Sequence, residues 1–246
     1  MSSLSHILHT ISYMGLPLLF AMVLHEYAHG WMAEKCGDST ARLEGRLTIN
    51  PLAHIDPFGT VILPLICLML PGSFLLGWAK PVPINPGNMH QPRRDMALTA
   101  AAGPGMNLLL AIASALLLAA ILTIEPTLSV RNNGEADATS SLFGSMFLRP
   151  IAVMALYSVM INVFLALFNL LPIPPLDGGR ILTAVLPPKS AMALARLEPY
   201  GMLILVGLII FDKELGIIHM ITGTFAKSLS GTILSTALGL RPGATE

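Results

Sequence analysis

Residues 25 to 29 read His25-Glu26-Tyr27-Ala28-His29 and lie inside an apolar run that extends from about residue 7 to residue 33. On a helix, side chains four apart stack on one face, so both imidazoles can close on one cation while the glutamate between them reaches a water beside it. Each ionisable group at membrane depth costs on the order of 2.5 to 3.5 kcal/mol, so such a cluster marks a functional site by default. These five residues call for a long apolar helix carrying metal ligands below a lipid surface.

Composition points to a membrane. Apolar residues make up 54% of the chain and charged ones 11%, and the mean hydropathy of +0.71 is too high for an ordinary soluble domain of this length. The formal net charge of zero argues against a nucleic-acid partner, which would call for a basic face. Cys36 and Cys67 lie far apart and form neither a disulfide framework nor a cysteine-type zinc site. The first apolar segment has no basic flank before it and no small-residue cleavage pattern, so it reads as a retained span.

Apolar stretches fall at about 7–33, 58–79, 97–124, 150–171 and 191–211, with a weaker one at 214–226. Four are long enough to cross about 30 Å of hydrocarbon at 1.5 Å per residue. The stretch at 58–79 is interrupted by Pro64 and broken by Pro71-Gly72, which leaves a leg spanning only about 20 Å and predicts a re-entrant segment. Residues 42–49 alternate polar and apolar side chains with the period of a half-buried strand. Lys80 to Pro86 reads as extended, because each proline biases its predecessor away from helix. Thr127 to Ser141 reads as a loop outside the membrane. No fixed-period repeat or long linker appears, so the expected fold is all-α integral membrane, a polytopic helix bundle with a re-entrant segment and a small membrane-associated β element, forming one domain over 1–246.

Two histidines do not complete a hydrolytic zinc site, which needs a third protein ligand and an open position. Asp177 is the best candidate. It follows Pro172, Pro174 and Pro175, which force the chain out of helix at the end of an apolar span, and irregular backbone at that depth is tolerated only inside protein or along a wet cavity. Asp177 is also a suitable N-cap for a helix starting at Gly178. Gly103, Gly105 and Asn107 fit close helix packing, and His54 with Asp56 fits a structured turn. His6, His9, His90 and His219 have no spacing that suggests a ligand set.

Three pieces together resemble one family: HEYAH at 25–29, Ala102-Gly103-Pro104-Gly105-Met106-Asn107, and the segment Asn169 to Gly179. The chain is similar to the site-2 proteases, the M50 family of intramembrane zinc metalloproteases, and specifically to a short member made of the catalytic core. The resemblance implies one catalytic zinc held by His25, His29 and Asp177, with Glu26 as general acid and base. It implies that Asn169 binds substrate or stabilises the oxyanion. The implied activity is endopeptidase cleavage in or near a transmembrane segment of a membrane-protein substrate, within a lipid bilayer. A zinc-binding membrane scaffold that does not cut, or a metal-dependent transporter, remains an alternative to this chemistry.

Topology follows from the ligands. His25 lies toward the exit of the first apolar stretch and Asp177 follows the exit of the fourth, 150–171, so both must open on one side. With 58–79 re-entrant, Lys35, Arg42, Arg46, Lys80, Arg93, Arg94, Arg180, Lys189 and Arg196 share that side, against Arg131 and Arg149 opposite. Cytoplasmic loops are the richer in Lys and Arg, which places the mouth toward the cytoplasm and predicts a multi-pass protein of the cell (inner) membrane.

Overall fold

The computed structural model describes residues 3–62, 79–126, 128, 143–210, 216, 220, 224 and 226–239. Its helices are α1 (Ser3–Lys35), α2 (Thr40–Leu43), α3 (Pro92–Ile124), α4 (Arg149–Asn169), α5 (Asp177–Val185), α6 (Pro188–Ala195), α7 (Gly201–Ile210) and α8 (Lys227–Ala237). Two helical stretches, Pro92–Ile124 and Met146–Asn169, are long and apolar enough to cross a membrane. The chain divides into two compact units: Met1–Ala21, Asn107–Asn169 and Met202–Glu246 form one, and Met22–Met106 with Leu170–Gly201 the other.

In the first unit, Ala111 and Ala115 of α3 pack with Val159 and Val163 of α4 and with Ala226. Small residues on facing helices allow close approach where lipid supplies no hydrophobic drive. Polar side chains then fix the pairing. Asn107 donates to Asn162 Oδ1 at 2.8 Å and to the Ala21 carbonyl at 3.3 Å, and the Ser114 hydroxyl donates to that of Ser158 at 2.8 Å. Buried amides in apolar surroundings must find such partners. Large apolar side chains such as Leu109, Leu116 and Ile124 remain exposed.

The second unit is held by a loop scaffold around an extended strap, residues 79–85. Asp38, fully buried, is its hub. Its carboxylate accepts from the amide and hydroxyl of Thr40, from Asn88 Nδ2 at 3.0 Å and from the amide of Asn85 at 2.6 Å. Burial pushes this carboxyl up, but the donors together outweigh it and hold the group below the usual carboxylate range. Arg46 donates to the carbonyls of Lys80 and Pro81, and Lys80 N–H donates to the His54 carbonyl, fixing the start of the strap. Asp56 accepts from Gly59 N–H at 2.6 Å, and the buried His54 ring contacts the Thr48 carbonyl at 2.8 Å. Both residues thus serve turns, as their sequence setting suggests.

Several boundaries differ from those expected. Helix α3 begins at Pro92 rather than near 97, because Pro92 suits a first helical position and Asp95 folds back to accept the Gln91 N–H at 2.7 Å. The strand expected over 42–49 is not formed. Thr40–Leu43 is a helical turn, and Gly45, at φ +65°, reverses the chain so that the amides of Arg46 and Leu47 both reach the Ala41 carbonyl. No strand occurs among the described residues. The span expected over 191–211 is broken into α6 and α7 by a turn at Glu198–Tyr200, where Pro199 has no N–H to continue a helix. Of the re-entrant stretch 58–79, only the part to Ile62 and Ala79 is described, and it begins as a wide helical turn, Pro57–Ile62. The remainder, most of the 127–141 loop and most of 214–226 lie outside the described residues.

Candidate metal centre

Helix α1 carries His25 and His29 one turn apart, both buried, with their Nε2 atoms 3.0 Å from each other. Asp177, the first residue of α5, brings its Oδ2 to 3.1 Å from His25 Nε2 and 3.3 Å from His29 Nε2. These are the same three residues expected from the sequence. Tetrahedral ligands about 2.0–2.2 Å from a zinc ion stand about 3.3–3.5 Å apart, so the triangle is already near ligand spacing.

Hydrogen bonding supports a cation at this point. His29 Nδ1 lies 2.7 Å from the Thr99 carbonyl, which can only accept, so this nitrogen carries a proton. In the neutral ring, Nε2 then presents a lone pair toward a carboxylate oxygen that is itself buried and has no other hydrogen-bond partner. Two acceptors face each other unless a positive charge stands between them. The Thr99 carbonyl also has the place of an outer-shell partner, which orients a histidine ligand and raises its basicity.

Close approach of backbone makes room for the centre. A Cβ on Gly103 would lie 2.4 Å from His29 Nε2 and 2.7 Å from His25 Cε1. The three-proline segment doubles back tightly beside Asp177: a Cβ on Gly178 would stand 2.2 Å from the Leu170 carbonyl oxygen, and one on Gly179 would stand 2.7 Å from Pro174 N. Both positions therefore require glycine. Asp177 does not act as the N-cap that its residue type allows, since Leu176 takes that place and the carboxylate turns to the histidines.

Glu26 lies between the histidines on α1 and is fixed from the strap, its Oε2 accepting the Val82 N–H at 2.8 Å. Asn169 ends α4, and its amide donates to the Leu165 carbonyl of its own helix at 3.0 Å. Among the described residues, His25, His29 and Asp177 form the one group of three or more such side chains able to hold a metal. Sequence reasoning took Gly103 for packing alone, and it missed the Thr99 carbonyl and the Val82 amide. The Gly103-Pro104-Gly105 run inside α3 offered a signal for Gly103; main-chain groups leave none.

A sequence profile of peptidase family M50 matches residues 13–211. A Bacillus subtilis relative, provisionally named zinc metalloprotease YwhC, is 35% identical over 204 residues, covering 83% of this chain and 82% of its own. A Mycolicibacterium smegmatis relative, provisionally named zinc metalloprotease Rip2, is 31% identical over 206 residues, covering 81% of this chain and 70% of its own. No solved structure matches.

Proposed function

We propose, on the premise that the chain belongs to peptidase family M50 and is a zinc metalloprotease, that it hydrolyses peptide bonds in or near transmembrane segments of membrane-protein substrates, as in regulated intramembrane proteolysis. The observation that carries this reading is the convergence of His25, His29 and Asp177 on one point, with Glu26 on the same helix. In this reading His25, His29 and Asp177 hold zinc. Zinc bound there supplies Lewis acidity, which acidifies water and polarises a peptide carbonyl.

The chain's own groups do the rest. Glu26 takes the proton of the attacking water and delivers it to the leaving amine. Its Oε2 is anchored by Val82, which leaves the second carboxylate oxygen to carry that proton. The Asn169 amide donates to Leu165 in its own helix, and the role the family pattern gives this residue is to bind substrate or stabilise the oxyanion. A substrate helix cannot be cut as it stands, because its carbonyls are hydrogen-bonded and shielded, so a stretch must unwind first.

The test uses purified full-length protein in detergent with a panel of transmembrane substrates. Cleavage should disappear with a chelator and return with added zinc, at one zinc per chain. Product formation that survives complete zinc removal would exclude the mechanism.

We further propose a multi-pass protein of the cell membrane, folded as one membrane-embedded domain, with the mouth of the site facing the cytoplasm. The excess of Lys and Arg on the ligand-bearing side supports this. Reporter fusions at Asp38 and Asn88 should both report the cytoplasmic side, and opposite signals would overturn the topology.

A further inference from the structure

The second unit contains a groove of about 620 Å3, within the ~300–1,000 Å3 range of clefts that hold ligands. Val82 and Ile84 of the strap line it, together with Thr183 of α5 and Ala191 and Met192 of α6. Two of its lining residues tie it to the candidate centre. Val82 is the residue whose N–H anchors Glu26, and Gly179 follows Asp177 by two positions.

We propose that this groove seats the unwound stretch of substrate adjoining the bond that is cut, and that it selects apolar side chains there. The inference rests on the proteolytic reading above. A stretch drawn out of a transmembrane helix brings apolar side chains, and the residues facing it across this groove are predominantly apolar.

The charged groups along the groove do not ask for a charged ligand. Arg93 is committed to the carbonyls of Ala184 and Leu186 at the end of α5, and Arg180 lies 3.9 Å from Glu198. The strap itself has little to offer as an edge for strand pairing. Pro81, Pro83 and Pro86 have no N–H, Val82 gives its own to Glu26, and Asn85 gives its own to Asp38. Only Ile84 retains an amide between Pro81 and Pro86 that is not directed to those carboxylates. Recognition therefore depends on the fit of side chains more than on a ladder of main-chain bonds, in contrast to strand addition along a regular edge.

Two measurements on the full-length protein in detergent test this. Ala191→Trp fills the groove and should lower kcat/KM for a transmembrane substrate by about tenfold or more, with zinc content unchanged. Separately, a photo-crosslinking residue at Met192, which is 58% exposed, is placed in a Glu26→Gln background. It should capture substrate residues within a few positions of the bond that wild type cuts, and on one side of it only. The same probe at Leu109 should not.

Wild-type kcat/KM in Ala191→Trp, or Met192 adducts that are absent or scattered along a substrate that wild type cuts, would overturn the groove assignment. If Ala191→Trp does not fold, the Met192 adducts decide alone. A zinc-loaded wild type that cuts no transmembrane substrate overturns the proteolytic reading, and the groove assignment with it. Cutting without localised adducts removes the groove assignment alone.

Discussion

Glu26→Gln is expected to lower turnover by about 10²- to 10⁴-fold, the usual contribution of a positioned acid-base group, while zinc content stays at the wild-type level. The two outcomes separate because Glu26 is not one of the three converging groups. Glutamine preserves the side chain's length and keeps an amide oxygen to accept the Val82 N–H, now made at 2.8 Å. What it loses is the capacity to take up a proton. Single-turnover cleavage of a transmembrane substrate, beside metal analysis of the same preparation, measures both quantities. Equal product from wild type and variant would point to a different base or to a contaminating protease.

Gly103→Ala should weaken zinc binding by about 10- to 100-fold, the range seen when the groups that orient metal ligands are disturbed. The added methyl would lie 2.4 Å from His29 Nε2 and 2.5 Å from His29 Cε1, where non-bonded carbon contacts need about 3.5–4.0 Å. His29 cannot simply swing aside, because its other nitrogen is held at 2.7 Å by the Thr99 carbonyl and its ring shares the site with His25. Gly105→Ala is the matched control. It lies on the same helix with nothing within 4 Å of the new Cβ, and alanine there raises helix propensity by roughly 1 kcal/mol. A competitive zinc titration of the two variants decides the matter; wild-type affinity in Gly103→Ala would refute the steric account.

The histidine pair and the intervening glutamate were legible because helical periodicity alone puts positions 25 and 29 on one face, and because ionisable groups inside an apolar run are too costly to be incidental. Asp177 was legible by its setting, since three prolines in six residues, 170–175, break the helix just before it. Main-chain contributors were hidden. Any residue type has a carbonyl at position 99 or, proline excepted, an amide at position 82, so only the folded chain shows which of them meets His29 or Glu26. Residues 42–49 misled because alternation assumes an extended path, whereas the hydrogen bonds to Ala41 and the left-handed Gly45 curl the chain. The 191–211 stretch misled because its apolar majority outweighs Arg196 and Glu198 and masks how completely Pro199 interrupts helical bonding. Gly178 and Gly179 were visible as a pair, but their necessity follows from how tightly residues 170–174 return upon them.

The imidazole of His29 takes its bearing from the peptide unit of residue 99. Replacing that threonine by another helix-compatible residue leaves the orienting dipole intact, so the tautomer is insured against point mutation. The vulnerability moves instead to the posture of the helix that carries the dipole. A shift of α3 against α1 that opened the 2.7 Å contact would re-aim the ring, whatever side chain stood at position 99.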